Sequence, residues 1–229
     1  MNVALVDVDS HNFPNLALMK LSAWHKAQGD SVEWYSPLFS QPDKIYASKV
    51  FTFTPDYTDY APHHPEPILG GTGYDATVKL PDAVERMSPD RSIYPQYDYI
   101  IGFLTRGCIR KCPWCVVPRK EGAIRIVNHI RDIAHGGKDV VLLDNNFLAA
   151  DESFVAEQLV YIARQKIRID FNQGLDARLV TPENAKLLAA CRWIRFIRFS
   201  CDTSAMIEPI RRAVSLIRET GCKREIFCY

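Results

Sequence analysis

The chain opens on an apolar, β-branched run, VALVDV, that reads as a strand. It passes through a turn into PNLALMKLSAWHKAQG, where Leu16, Met19, Ala23 and Ala27 recur at helical spacing. Gly29 and Asp30 stop that helix, SVEWY resumes an extended pattern, and IYASKVFTF predicts a third strand. Residues 1–75 are therefore expected to form a small Rossmann-like α/β layer. Glycines and prolines with little periodicity come next, so residues 76–95 read as a linker. From residue 96 the pattern turns regular: YIIGF, VVLLD, IRIDF and IRFIRFS predict strands, each followed by a helix. EIFCY begins a fifth strand. The first of these helices is expected over AIRIVNHIRDIAH, with Ile124, Val127 and Ile130 on one face. Strand ends near Phe103, Leu143, Phe171, Phe199 and Cys228 fit repeated units of ~30 residues. Thr181 before Pro182 marks one helix start and Pro209 another. Consecutive βα units curl a parallel sheet toward a barrel whose working face is the rim where strands end. Residues 96–229 are expected to be a partial (β/α) barrel, incomplete in its fifth strand because the last apolar run stops without a cap or turn.

With 229 residues, 47% of them hydrophobic, the chain has material for a sizeable core. Its 28 Lys and Arg against 27 Asp and Glu give a net charge of +1, which removes any global electrostatic case for nucleic acid or an anionic membrane. Asp7 and Asp9 stand where a signal peptide would be basic and then apolar. No apolar run approaches the ~18 residues of a membrane span, so a cytoplasmic protein with no membrane partner is expected. Three of the seven cysteines fall within residues 108–115, which suits metal ligation in a reducing compartment better than a disulfide framework.

Those three lie in GCIRKCPWC, as Cys108, Cys112 and Cys115. A closed zinc site needs four ligands, and His129 would have to reach back across a helix to supply the fourth. A four-iron cluster normally takes four cysteines; with three, one iron keeps open positions that a small molecule with an amine and a carboxylate can chelate. The thiols alone leave three readings open: a zinc-stapled module, an electron carrier, or an enzyme built on an open cluster.

The spacing Cys108-x3-Cys112-x2-Cys115, with Trp114 just before the third cysteine in the loop after the first barrel strand, resembles the signature of the radical S-adenosylmethionine (SAM) family. The resemblance covers roughly residues 95–229. It implies a [4Fe-4S] cluster whose unique iron binds SAM, reductive cleavage to a 5′-deoxyadenosyl radical, hydrogen abstraction from an unassigned substrate, and an electron donor such as a flavodoxin or ferredoxin. It also implies a SAM pocket. Trp114 offers a face to the adenine; Asp144, Asn145 and Asn146 stand where the family carries glycines and an acid for the SAM ammonium. Gln173, Ser200 and Asp202 come after later strands on the ribose and methionine side, and Arg178 is a candidate for the SAM carboxylate.

FLTRGCIRKCPWCVVPRKEG and NQGLDARL further resemble the subgroup with an N-terminal cobalamin-binding domain. That family's Asp-x-His-x-x-Gly loop is matched here by Asp9 and His11, with Pro14 in place of glycine. The methylthiotransferases are similar too, but they carry a second cluster on N-terminal cysteines, and no cysteine precedes Cys108. An RNA substrate stays open because Arg106, Arg110, Lys111, Arg119, Lys120, Arg125 and Arg131 crowd the cysteine loop and the helix expected after it.

Overall fold

The computed structural model describes residues 1–10 and 12–229. They divide into two compact units, Met1–Tyr97 and Asp98–Tyr229.

The N-terminal unit runs β1 (Asn2–Asp7), α1 (Leu16–Ala27), β2 (Ser31–Trp34), β3 (Lys44–Ser48), β4 (Ile68–Gly70) and α2 (Asp82–Glu85). Its sheet is wholly parallel in the order β2-β1-β3-β4, as in doubly wound layers. Alternation along β1 builds both faces. Val3 and Leu5 pack with Leu18, Leu21 and Val84, whereas Ala4 and Val6 pack with Ile45 and Ala47 beneath Tyr35, Tyr57, Tyr60 and Tyr74. α1 starts where it does because the Asn15 side chain accepts from the Ala17 and Leu18 amides.

The third strand is shorter than its apolar pattern suggests. Beyond Ser48 the Val50 and Phe51 amides, each at 2.8 Å, donate to the buried Asp9 carboxylate instead of a ladder. The segment 76–95, read from sequence as a linker, folds onto α1: Val84 joins its core, Lys20 pairs with Glu85 at 2.9 Å, and Ser22 and Lys26 both bond Asp90.

The C-terminal unit runs β5 (Ile100–Gly102), β6 (Thr105–Arg106), α3 (Val117–Lys120), β7 (Arg125–Ile126), α4 (Ile130–Ala134), β8 (Asp139–Leu142), α5 (Glu152–Gln165), β9 (Arg168–Phe171), α6 (Pro182–Ala190), β10 (Arg192–Trp193), β11 (Ile197–Phe199), α7 (Ile207–Glu219) and β12 (Ile226–Cys228). The α/β class holds, but the expected barrel sheet comes as two parallel segments, β10-β9-β8-β5 and β11-β12, bridged at Leu175 and Phe199. Val140, Leu142, Ile169 and Phe171 turn toward Leu159, Ile162, Leu188 and Ile217 to form the main core. Asp151 caps α5, and Thr181 with Asn184 closes a capping box over Pro182 at the start of α6.

The helix expected from Ala123 is a correction. Only Ile130–Ala134 is helical, because Arg125 and Ile126 pair antiparallel with Arg106 and Thr105. Among the described residues no helix is long and apolar enough to cross a membrane.

Candidate functional site

The β6–β7 pair ties off a loop that contains all three signature cysteines. Gly107 opens it with φ +85°, and a Cβ there would lie 2.2 Å from the Ala123 carbonyl oxygen, so only glycine fits the mouth. Across that mouth the Cys108 amide donates to the Gly122 carbonyl at 3.2 Å. Glu121 gathers Arg106 at 3.1 Å and Arg125 at 3.2 Å. At the tip, the Cys115 amide donates to the Cys112 carbonyl at 3.0 Å. Cys108 and Cys112 are half-buried and Cys115 is exposed, as is Trp114 at 60%. The base is rigid and the reactive tip faces outward.

Loops after the next two strands hold this one. Behind β8, Asp144 accepts from the Leu104 amide (3.1 Å), the Thr105 amide (2.6 Å) and the Thr105 hydroxyl (2.7 Å). Burial pushes its carboxyl up to about 6, against the hydrogen bonds from Thr105 and Leu104. Asn145 Oδ1 accepts from the Gly107 amide at 3.0 Å. Asn146 Nδ2 donates to Cys108 Sγ at 3.4 Å and to Asp176 Oδ2 at 3.3 Å. The Arg110 amide adds a second donor to Cys108 Sγ at 3.3 Å.

Behind β9 sits Asp176, buried, bonded by Arg110 Nε at 3.0 Å and by Arg178 through Nε at 2.7 Å and Nη2 at 3.0 Å. Burial alone would raise its carboxyl; the hydrogen bonds and charges of Arg178 and Arg110 outweigh that and hold it below the usual carboxylate range.

The structure gives two of the expected site residues protein partners: Asp144 is 2% exposed, with both oxygens bonded to the segment that leads to the cysteines. Arg178 is bidentate to Asp176. Gln173 is exposed in the turn after β9, Ser200 is half-buried and Asp202 exposed after β11, and among the described hydrogen bonds none of the three reaches the cysteine loop in the way that Asn145 and Asn146 do. Asp176 and Arg110 were missed as site residues. The available signal was Asp176 two residues before Arg178, an Asx-type cap on the short turn Ala177–Leu179. Of the basic residues around the loop, Arg106, Arg125 and Arg110 are taken up by carboxylates, while Lys111 and Arg119 are exposed. Among the described residues no three His, Cys, Asp or Glu side chains are gathered around a single point as one metal ion requires.

No protein-family model and no curated relative matches the sequence. By structure the chain is similar to a radical S-adenosylmethionine methyltransferase, TsrM from Kitasatospora setae, solved with cobalamin and a [4Fe-4S] cluster bound. The TM-score is 0.67 at 15% identity, over 99% of this chain and 69% of that one. That likeness establishes a shared fold.

Proposed function

We propose that this chain is a radical SAM enzyme whose [4Fe-4S] cluster is held by Cys108, Cys112 and Cys115. One observation carries the reading. Three thiols at x3 and x2 spacing occupy a closed loop off the first strand of a parallel βα series, and the loops after the next two strands bond to that loop. The donor set fits the group: cluster thiolates are acceptors, and Cys108 Sγ receives two N–H donors. A lone structural zinc would need four ligands, and the loop carries three cysteines.

When bound, the cluster and SAM supply one-electron cleavage of the sulfonium and a 5′-deoxyadenosyl radical. The chain's own residues do the positioning. Asp144 and Asn145 fix the backbone from Leu104 to Gly107, so the first cysteine leaves a rigid base. Trp114, exposed at the tip, would offer its indole face to the adenine. Arg178, exposed at the rim and bonded to Asp176, would meet the SAM carboxylate, and Gln173, Ser200 and Asp202 would supply rim polar groups for its ribose and methionine portions. A small flavodoxin or ferredoxin delivers the electron.

The residues around His11 that suggested cobalamin in the lower-ligand mode have protein roles of their own. Asp9 is spent on the Val50 and Phe51 amides, Pro14 and Asn15 open α1, and Gly71 lies against the Lys49 carbonyl oxygen, which a Cβ would meet at 2.3 Å. His11 lies outside the described residues. No step is routed through cobalamin. The methylthiotransferase reading lacks the N-terminal cysteines for a second cluster.

The test is anaerobic reconstitution with iron and sulfide, electron paramagnetic resonance (EPR) of the reduced protein with and without SAM, and an assay for 5′-deoxyadenosine. A four-iron signal that moves with SAM, together with deoxyadenosine, is expected. Cys108→Ala, Cys112→Ala and Cys115→Ala should each abolish both. Unchanged iron content and SAM cleavage in all three variants would sink the proposal.

A further inference from the structure

The cysteine loop is bonded to the rest of its unit at several points, but among the described hydrogen bonds a single side chain reaches a signature cysteine sulfur. Asn146 Nδ2 lies 3.4 Å from Cys108 Sγ and 3.3 Å from Asp176 Oδ2. Both neighbours are acceptors once the thiol ligates a metal, so the amide must turn its NH2 toward them. Asn146 is 4% exposed and its Oδ1 has no partner among the described atoms. Asn146 thus leaves its oxygen unbonded among the described atoms while its NH2 meets a sulfur and a carboxylate.

Asp176 fixes that aim. Its Oδ2 receives Asn146, Arg110 Nε and Arg178 Nη2 together, and Arg110 in turn directs its own backbone amide at the same sulfur, at 3.3 Å. Cys108 thus sits in a closed circuit of Asn146, Asp176 and Arg110, reached from the loops after two different strands. Neither Cys112 nor Cys115 accepts a comparable side-chain donor among the described hydrogen bonds.

We propose that Asn146 is a positioning residue for the cluster's electronics: its amide donates to the Cys108 thiolate and raises the reduction potential of the cluster, with Asp176 and Arg110 holding that amide in place. The physical reason is direct. Reduction adds negative charge to the cluster and its sulfurs, and an N–H donor stabilises the more negative state. This rests on the cluster reading above.

The experiment is an EPR-monitored redox titration of the reconstituted full chain, with iron counted in parallel, on the unsubstituted protein, Asn146→Ala and Asn146→Asp. Expected is a more negative midpoint in Asn146→Ala, and a further negative shift in Asn146→Asp, where a carboxylate replaces the donor at the same size. Loaded variants with an unchanged midpoint would overturn the proposal, because a residue with a purely structural role changes iron content and not potential. Should either variant fail to load, pulsed EPR of the unsubstituted protein with 15N-labelled asparagine side chains decides it. A nitrogen coupled to the reduced cluster supports the assignment, and no coupling overturns it. An unsubstituted chain that takes up no cluster would refute the underlying cluster reading instead, so the two failures are distinguishable.

Discussion

The two units use the same device for different ends. In the N-terminal unit Asp9 leaves β1 and accepts two backbone amides, Val50 and Phe51, from the loop after a neighbouring strand. In the C-terminal unit Asp144 leaves β8 and accepts the amides of Leu104, after β5, and Thr105, at the start of β6. Each unit also has a glycine at positive φ whose Cβ would strike a carbonyl oxygen: Gly71 at 2.3 Å and Gly107 at 2.2 Å. The difference lies in what the anchored loop carries. Beyond Phe51 come tyrosines that cover the sheet, whereas beyond Thr105 come three thiols. A buried acid at a strand end is thus an anchor in both places, and only the cargo of the loop makes one of them a site.

Substitution of the two anchors should separate those ends most strongly. Asp144→Ala strands two buried amides and should lose on the order of 3–5 kcal/mol in denaturant unfolding of its unit, whereas Asp9→Ala strands two half-buried ones and should lose about 1–3 kcal/mol. Only Asp144→Ala should also lose cluster iron. Equal iron retention in both variants would erase the distinction drawn here.

The glycines form the next pair. Gly71→Ala and Gly107→Ala force a Cβ into a left-handed conformation against a carbonyl, at about 3 kcal/mol each. Iron content should fall in Gly107→Ala alone, read by colorimetric iron assay after reconstitution.

A pH series sharpens the contrast from the C-terminal side. Asp144 has its carboxyl pushed up to about 6 from the ordinary 3.8, so its charged form opposes folding. Stability from this group is present below about pH 4 and is lost as pH rises through 6, by up to about 3 kcal/mol. Denaturant midpoints at pH 5 and 8 should show about half of that fall, and Asp144→Asn should flatten it.

The smallest expected effect on stability is at Trp114. Its indole is 60% exposed, so Trp114→Ala should change stability by less than about 0.5 kcal/mol. SAM binding by the reconstituted protein, measured calorimetrically, should weaken roughly tenfold with loss of the stacking face. Unaltered affinity would remove Trp114 from the site.

The order of residues alone carried the alternation of apolar runs, and hence the parallel α/β class, because burial of one strand face or one helix stripe is a local periodicity. It carried the cysteine spacing too, since three thiols within eight residues need no tertiary fold to be recognised. It also marked a helix start at Thr181, where a side chain caps an amide three residues away. Contacts distant in sequence had to wait for the chain to fold. Ile124 and Val127 carry helical spacing, yet Arg125 and Ile126 pair with β6, because closing the cysteine loop satisfies their backbone groups. Asp144 found its partners only in the fold, where Leu104 and Thr105, some forty positions earlier, turn their amides to it. Asp176 was passed over because nothing in QGLDAR announces that Arg110 and Asn146 will meet there. Periodicity and spacing are written along the chain, but the partner of a buried polar group is chosen by whichever loop the fold brings within hydrogen-bond reach.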